Sequence, residues 1–463
     1  MKPASLNDKT ITRLIRQNDM RKLCALMLYE VFENGAYTNL ILKRSDEIAS
    51  SEGISLRSLR AMLYGTVTYS YSIDFMVRHI AGRDLNGLDP YPRILIRLGA
   101  WQLLFSRSIP DFAAVSETVK VADECCPSAK GLVNAVLRKI SSASEEEKDL
   151  SCYRPDVAVS LSNEIFGLIK RDYGKDRALS IGKAFLRQPK MTVRFDPARI
   201  SAEELRLKLQ SDSFQVYDGA LLDSVLTIEA GHVSLENSLA FREGLFFVQN
   251  EAAALASVIA SPHEGDRILD CCAAPGGKTT HMAELTHGNS DILALDSNPS
   301  RIELLKENLE RLRIDNVRYA VCDCTDMSPI EETFDLVLAD CPCSGLGIIG
   351  RKPDIRLNMS YDKIRSIMEV QHTILRQAAS RVRPGGTLIY CTCTINKDEN
   401  ERQVERFLEE NRDFRACSLM PYLPENIIMD ENRRQDAGRG YITLLPDSDN
   451  LDGFFISRME RTV

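Results

Sequence analysis

From about position 244 onward, short β-rich runs alternate with helical segments. The runs include "RILDC", "DILALD", "VRYAVCD", "FDLVLAD" and "GTLIYCT". In the helix expected after Pro299, apolar residues recur every three or four positions, at Ile302, Leu305, Leu309 and Leu312. They give that helix one apolar face to pack on a sheet. The alternation predicts an α/β fold with a doubly wound, mostly parallel sheet, whose ligands bind at the carboxyl ends of the strands.

The first 140 residues show a different pattern. Apolar residues return every three or four positions in "CALMLYEVFENG" and "YPRILIRLGAWQLLF", and the pattern breaks at Gly35, Gly82 and Pro110. We therefore expect an all-α bundle in this region. The polar, charged run at 141–150 predicts a linker or a short exposed helix.

Residues 155–188 are again helical in pattern, and strand-like pieces follow them. "KMTVRFDP" alternates like a strand, and Ser201 is followed three residues later by Glu204, the capping-box pattern of a helix start. The sequence thus predicts three regions. They are an all-α domain at 1–140, linker helices with a small α+β subdomain of ferredoxin or RRM type at 141–243, and a Rossmann-like domain at 244–463.

Charge is distributed unevenly over the 463 residues. The chain as a whole carries a net charge of −8, but residues 1–140 hold 19 Lys and Arg against 14 Asp and Glu, a net charge of +5. The remainder carries −13. The basic region predicts binding to a polyanion, although solvated faces that differ by chance would give the same totals.

The composition also constrains location and cysteine chemistry. No apolar stretch follows the first lysines, and the longest uncharged run, at 61–73, is too short and hydroxyl-rich to cross a bilayer. We expect a cytoplasmic protein without a membrane partner. The thirteen cysteines are spread through the chain, so we expect reduced thiols. Eight of them fall between Cys271 and Cys393, in four close pairs that need a cause.

The run "LDCCAAPGGKTTH" predicts a cofactor site. Gly276 and Gly277 lie in the first strand-to-helix turn, where a ligand can approach the backbone and the helix N-terminus. The run matches neither a phosphate-binding P-loop nor the full dinucleotide fingerprint. Asp296, at the end of the next strand, could accept hydrogen bonds from ribose hydroxyls, and Asp323, at the end of the third, could reach an adenine edge.

A single aspartate at a strand end is often only a helix cap. Four follow one another here, at Asp270, Asp296, Asp323 and Asp340. A nucleoside cofactor without a pyrophosphate clamp fits S-adenosylmethionine better than NAD.

Two thiols at strand ends suggest a difficult methylation. Carbon 5 of a pyrimidine has no lone pair, but a thiolate that adds to carbon 6 pushes electron density onto carbon 5. Asp340 could hydrogen-bond the base and help to protonate its ring nitrogen. Spacing does not choose between Cys343 and Cys393 as the attacking residue. A zinc site formed by the Cys-x-Cys pairs is an alternative.

Several motifs together resemble a known family. They are "CAAPGGKTTH", "DCPCSGLG", "GRKPDIR", "CTCTINKDENE" and "GYITLLPDSDNLDGFF". These resemble the Sun (RsmB) branch of RNA cytosine-C5 methyltransferases, in the NOL1/NOP2/Sun superfamily. "PYPRILIRLGAWQLLF", "SIPDFAAVSETV" and "GLVNAVLRKI" are similar to the NusB-like N-terminal domain of that branch. The resemblance covers nearly the whole chain.

The resemblance implies roles for individual residues. The cofactor loop would comprise Cys272, Ala273, Ala274, Pro275, Gly276, Gly277 and Lys278, with Asp296, Asp323 and Asp340 completing the site. Cys393 would be the nucleophile, Cys343 would assist product release and Asp340 would complete the catalytic set. Lys278 would hold cofactor or substrate, unless it is only a solvent-facing lysine at the start of a helix.

The sequence departs from the family at three positions near these thiols. Cys341 stands where the family usually has a small apolar residue, and Cys391 and Thr394 are also variant. Thr394 keeps the hydroxyl that usually follows the nucleophile, so we expect the chemistry to persist. Free cysteines commonly fill small apolar sites, which favours packing over metal binding for Cys341.

The function that follows is C5-methylation of a specific cytosine in 16S rRNA with S-adenosylmethionine, through a covalent cysteine adduct at carbon 6. The cytosine must be unstacked or flipped out to reach two thiols and a methyl donor. The resemblance implies free or protein-poor small-subunit rRNA as partner and no metal, and we expect a monomer. A tRNA target and a non-catalytic RNA-binding regulator are the alternatives.

Overall fold

The computed structural model describes residues 6–51, 54–229 and 235–463, without the side chains of residues 50 and 51. The chain divides into two compact units. The first comprises Met1–Arg187 and Ile349–Ser360, and the second comprises Gln188–Ile348 and Tyr361–Val463. In the described part of the chain, no helix is both long and apolar enough to span a membrane.

The first unit is built from helices. They are α1 (Asp8–Arg16), α2 (Met20–Asn34), α3 (Thr38–Ser51), α4 (Arg57–Thr68), α5 (Ser70–Ala81), α6 (Pro90–Leu104), α7 (Asp111–Cys125), α8 (Lys130–Ser141), α9 (Glu145–Lys148), α10 (Pro155–Ala158), α11 (Asn163–Tyr173) and α12 (Lys175–Ala184). Gly35 and Gly82 end α2 and α5 in the left-handed conformation, which glycine adopts without strain. The expected all-α region is confirmed.

Helix α6 forms the centre of this unit. It contacts α2, α4, α7 and α8, and twelve of its fifteen residues are buried. Glycine permits one of these contacts, because a Cβ atom on Gly65 would lie 2.2 Å from the Trp101 ring. Trp101 is accordingly part of the core.

Residues 349–360, which include the whole "GRKPDIR" motif, belong to the first unit. The guanidinium of Arg356 is fully buried there. It donates hydrogen bonds to the carbonyls of Val159 (3.0 Å), Ser160 (2.8 Å) and Phe185 (3.0 Å). Burial lowers the pKa of Arg356 to about 9. This arginine therefore ties the segment to the helical unit.

The second unit begins with a small antiparallel sheet in the order β2-β3-β1-β4. Its elements are β1 (Met191–Arg194), α13 (Ala202–Ser211), β2 (Gln215–Asp218), β3 (Val225–Glu229), α14 (Leu239–Arg242) and β4 (Phe247–Val248). The predicted capping box is present at α13, where Ser201 and Glu204 bond reciprocally. One face of the sheet packs Val193, Leu226 and Ile228 into a core with the helices.

The rest of the second unit is a larger α/β layer. Its elements are α15 (Glu251–Ala260), β5 (Arg267–Cys271), α16 (Gly277–Leu285), β6 (Asp291–Asp296), α17 (Pro299–Leu312), β7 (Val317–Val321), β8 (Phe334–Asp340), α19 (Tyr361–Ser380), β9 (Val382–Thr392), α20 (Glu401–Glu410), β10 (Phe414–Ala416), α21 (Glu425–Ile428), α22 (Glu431–Gly438), β11 (Tyr441–Leu444) and β12 (Phe454–Arg461), while α18 (Ile355–Asn358) lies in the segment described above.

The strand order of the large sheet is β7-β6-β5-β8-β9-β12, with β10 and β11 both pairing with β12. Strands β5 to β9 run parallel and β12 is antiparallel to β9. The chain winds outward in one direction from β5 to β7 and in the other from β8 to β9, so the strand order reverses between β5 and β8. This is the topological switch point at which such sheets bind ligands. The predicted doubly wound α/β class is confirmed, whereas the boundaries at 140 and 243 stay predictions.

Candidate active site

The predicted cofactor loop connects β5 to α16 at the switch point. Ala273 N donates to the Leu295 carbonyl of β6 at 2.8 Å, which anchors the loop beside the next strand. Gly276 precedes α16 with φ of 102°, and a Cβ atom there would lie 2.4 Å from Leu305 Cδ1. Glycine suits this position, because the positive φ strains other residues and a Cβ atom would displace the end of the Leu305 side chain.

Asp296 ends β6 and holds the same loop. Its carboxylate accepts hydrogen bonds from Ala274 N (3.3 Å) and Asn298 N (3.0 Å), and Arg301 Nη1 lies 3.1 Å away. Arg301 also donates a short hydrogen bond to the Ala274 carbonyl. A carboxylate has about four lone-pair sites, so Asp296 retains acceptor capacity for a ribose hydroxyl.

Asp270 and Asp323 occupy opposite environments. Asp270 is fully buried; it accepts a 2.5 Å hydrogen bond from Thr279 Oγ1, and its Oδ1 has no hydrogen-bond partner. Burial raises the pKa of Asp270 to about 7, against the lowering effect of the Thr279 bond. Asp323 is exposed and lies two residues beyond the end of β7 at Val321. It accepts hydrogen bonds from the backbone and hydroxyl of Thr325, so it caps its own turn.

Lys278 and Asp340 form an ion pair across the switch point. Lys278 Nζ lies 2.6 Å from Asp340 Oδ2, and only 8% of the lysine is exposed. The alternative of a solvent-facing lysine is therefore wrong. Burial would lower the pKa of Lys278, but the Asp340 carboxylate outweighs burial and the net effect raises it. Cys391 Sγ lies 3.6 Å from Asp340 Oδ1, on the other oxygen.

The structure brings the two predicted catalytic thiols together. Cys343 follows β8 and Cys393 follows β9, and these strands are parallel neighbours. Their sulfur atoms lie 3.2 Å apart. The hydrogen bond to the Cys393 sulfur, and then burial, raise the pKa of Cys343 well above its ordinary value. Cys343 therefore holds its proton more tightly than an isolated thiol does.

The remaining cysteines of the catalytic region are mostly core residues. Cys271, Cys324, Cys341 and Cys391 are buried. All thirteen cysteines lie among the described residues, and none forms a disulfide. No group of three or more His, Cys, Asp and Glu side chains in the described part of the chain is arranged to hold a metal ion.

Glu399 is a buried carboxylate next to the loops that carry the two thiols, and no sequence pattern singled it out. Glu399 accepts hydrogen bonds from the backbone (2.8 Å) and hydroxyl (2.5 Å) of Ser344. It also accepts from Asn396 (2.9 Å) and Gln371 (3.1 Å). Ser344 Oγ lies 2.8 Å from Thr394 Oγ1. Ser344 and Thr394, which directly follow the two predicted catalytic cysteines, thus belong to the same hydrogen-bonded group as Glu399.

Two glycines, Gly347 and Gly453, let the backbone of the C-terminal loop at Gly453 pack beside the loop that carries Cys393. Gly347 N donates to the Cys393 carbonyl at 3.1 Å, and Gly453 N donates to the Gly347 carbonyl at 2.8 Å. A Cβ atom on Gly347 would lie 2.1 Å from the Gly453 carbonyl oxygen. The C-terminal "DNLDGFF" motif therefore supports the loop that carries Cys393.

Arg194 of the small sheet reaches the start of α16. Its guanidinium is fully buried and pairs with Glu284 at 2.9 Å. It also donates to the Gly277 carbonyl (2.6 Å) and to Thr280 Oγ1 (2.9 Å), with a short bond to Gln249. The face of the sheet that carries Arg194 is therefore occupied at this position by the helix that follows the cofactor loop.

Comparisons with known proteins show which families the chain resembles. The family model described as 16S rRNA methyltransferase RsmB/F matches residues 257–460, and the NusB family model matches residues 18–142. The chain is 30% identical to the probable ribosomal RNA small subunit methyltransferase B of Bacillus subtilis (strain 168), over 96% of this chain and 100% of that protein. It is 30% identical to ribosomal RNA small subunit methyltransferase B of Vibrio cholerae, over 96% of this chain and 98% of that protein.

Solved structures show the same fold. The crystal structure of PH0851 has a TM-score of 0.76 and 27% identity, and it covers 99% of this chain and 100% of its own. NSun6 from Pyrococcus horikoshii, solved with SFG, has a TM-score of 0.58 at 20% identity, over 65% of this chain and 98% of its own. Because the RsmB/F family model matches and the relatives align over nearly the whole chain, the chain belongs to the RsmB/F family of 16S rRNA methyltransferases.

Proposed function

We propose that this protein transfers a methyl group from S-adenosylmethionine to carbon 5 of a cytosine in small-subunit rRNA, through a covalent bond between a cysteine sulfur and carbon 6 of the base. The observation that carries the proposal is the 3.2 Å contact between Cys343 and Cys393 at the ends of adjacent strands. A methyltransferase that acts on an exocyclic nitrogen needs no thiol, whereas addition to carbon 6 needs a thiolate. The relatives named ribosomal RNA small subunit methyltransferase B favour rRNA over tRNA.

The cofactor loop suits a nucleoside-bearing ligand. Gly276 leaves no side chain between the ligand and the backbone, and Asp296 has acceptor capacity next to the loop. We propose that residues 272–278 with Asp296, Asp323 and Asp340 hold S-adenosylmethionine. When bound, it supplies an electrophilic methyl group. The turn-capping bonds of Asp323 do not use all of its acceptor capacity.

The two thiols take different parts in the proposed reaction. The family resemblance assigns the attack to Cys393, whose thiolate lone pair forms the bond to carbon 6. The electron pair at carbon 5 takes the methyl group, with S-adenosylhomocysteine as the leaving group, and carbon 5 then gives its proton to a base from solvent. The electrons of that C–H bond restore the ring double bond, and the carbon–sulfur bond breaks to release the Cys393 thiolate. Cys343 is placed to assist this last step.

Asp340 is placed to orient the base. One of its oxygens is bound to Lys278, and the other faces Cys391 Sγ at 3.6 Å, a weak partner that a base amino group can replace. The Lys278 ammonium supplies positive charge at the same edge of the sheet. We further propose that the basic region 1–140 contacts the RNA backbone, because Lys and Arg neutralise phosphate charge.

Bisulfite mapping of rRNA and tRNA, in cells with and without the protein, tests the proposal. We expect one cytosine of small-subunit rRNA to lose its protection from bisulfite when the protein is absent. A change confined to tRNA would move the substrate to tRNA. An unchanged cytosine pattern in both RNAs would contradict cytosine-C5 methylation.

A further inference from the structure

A hydroxyl residue follows each of the paired thiols. Ser344 comes directly after Cys343, and Thr394 comes directly after Cys393. Both hydroxyl residues are buried, and their oxygen atoms lie 2.8 Å apart. The two loops that present the sulfurs are therefore joined one residue away from the sulfurs themselves.

One carboxylate bonds to both of these loops. Glu399 Oε2 accepts from Ser344 Oγ at 2.5 Å and from Thr394 Oγ1 at 3.4 Å, while Oε1 accepts from Ser344 N at 2.8 Å. Asn396 and Gln371 supply two further donors. A buried carboxylate is costly unless its lone pairs are satisfied, and this set of donors satisfies them.

We propose that Glu399 is a positioning residue that sets the separation of Cys343 and Cys393 by holding Ser344 and Thr394 against each other. The inference rests on the proposed function for its catalytic meaning, but the geometry it describes exists without RNA or cofactor. Covalent catalysis by one thiol with release assisted by another requires both sulfurs to reach one base. A displacement of about 1 Å in such an arrangement can lower a rate on the order of 100-fold.

A second buried glutamate offers a matched comparison. Glu251 is also fully buried in the second unit, and it accepts hydrogen bonds from the backbone of Ala220, Leu221 and Leu222. Those bonds hold a loop that carries neither thiol. A substitution there removes a similar set of bonds without touching the loops of Cys343 and Cys393.

The first measurement is the rate at which Cys343 and Cys393 form a disulfide in the full-length protein treated with diamide. Diamide takes two electrons and two protons from the thiol pair and becomes the hydrazine. The linked peptides are quantified by mass spectrometry, which separates this pair from the other cysteines. We expect Glu399→Gln and Thr394→Val to slow this disulfide on the order of tenfold, because the freed loops spend less time in contact.

Two variants separate the hydroxyl bond from general packing. Thr394→Ser keeps the hydroxyl and should oxidise within about twofold of the wild-type rate, since the bonds to Ser344 and Glu399 remain. Glu251→Gln should also oxidise at the wild-type rate. In the methylation assay, Glu399→Gln and Thr394→Val should lose on the order of 100-fold in turnover, and Thr394→Ser should recover it.

Each outcome decides the proposal. Wild-type oxidation rates in both Glu399→Gln and Thr394→Val would overturn it, as would equal slowing in Thr394→Val and Thr394→Ser, which would indicate packing instead of a hydroxyl bond. If Glu399→Gln does not fold, the comparison of oxidation rates between Thr394→Val and Thr394→Ser tests the proposal instead. If the wild-type protein methylates no cytosine, the proposed function fails while the oxidation rates still test the positioning role.

Discussion

The sulfur atoms of Cys343 and Cys393 lie 3.2 Å apart, although fifty residues separate them in the chain. On the proposed mechanism they are not equivalent. We expect Cys393→Ala to abolish methylation and to form no adduct, because the attacking sulfur is gone. Cys343→Ala should instead accumulate a protein–RNA adduct that survives a denaturing gel, since release is impaired.

Cys341→Ala is the matched control for this pair. Cys341 lies in the same loop, but its side chain is buried in the core, so we expect methylation to persist and no adduct to accumulate. The reverse pattern, with the adduct in Cys393→Ala, would show that Cys343 attacks.

Burial of Asp270 predicts a pH-dependent stability. Its pKa is raised from 3.8 to about 7, so between these values the native state keeps a proton that the unfolded chain has lost. The free energy of unfolding should therefore fall as pH rises from about 4 to about 7, by up to about 4 kcal/mol, and this contribution should stay constant above that range.

Asp270→Asn lacks this titration, so the stability difference between it and the wild-type protein should change between about pH 4 and about pH 7 in urea unfolding. Thr279→Val removes the hydrogen bond that favours the carboxylate, and it should extend the titration to higher pH. Parallel pH profiles of wild type and Asp270→Asn would contradict the prediction.

Arg194 should be important for both stability and cofactor binding. Arg194→Met leaves the Glu284 carboxylate without its buried partner, which should cost about 3–5 kcal/mol of unfolding free energy. It also removes the donor to the Gly277 carbonyl at the cofactor loop, so calorimetry should show weaker binding of S-adenosylmethionine. Arg415→Met breaks an exposed pair with Glu460 and should change stability by less than about 1 kcal/mol. Equal losses of unfolding free energy in Arg194→Met and Arg415→Met would contradict the importance of Arg194 for stability.

The contact between Gly347 and Gly453 should tolerate no side chain. Gly347→Ala places a Cβ atom 2.1 Å from the Gly453 carbonyl oxygen, which should cost about 1–3 kcal/mol and displace the loop of Cys393. Gly438→Ala, in α22, meets nothing within 4 Å and should be neutral or stabilising by up to about 1 kcal/mol. Thermal unfolding and methylation rates of the two variants give the comparison.

The position of the thiols follows from sequence order, because parallel strands end at one edge of a sheet. That rule is enough to bring Asp340, Cys343 and Cys393 to neighbouring strand ends. Whether they act as proposed stays a prediction. The same rule does not describe Asp323, whose carboxylate caps its own turn, or Asp270, which is enclosed by the core.

Glu399 could not be identified from the sequence. It lies in the run "INKDENE", where three acidic residues follow within five positions, and nothing local distinguishes the one that points inward. Its partners Ser344 and Gln371 come from distant parts of the chain, and only the folded sheet brings them within hydrogen-bonding distance. Long-range polar contacts of this kind have no periodic signature.

The grouping of residues 349–360 with the helical unit limits how the gene can be divided. A fragment that begins near residue 188 would carry Arg356 away from the carbonyls of Val159, Ser160 and Phe185, and would leave a guanidinium without its buried acceptors. A fragment that ends near residue 187 would lose the same segment. A cut at a single junction near residue 188 therefore leaves the helical unit incomplete and places its missing segment, with the buried arginine, in the other fragment.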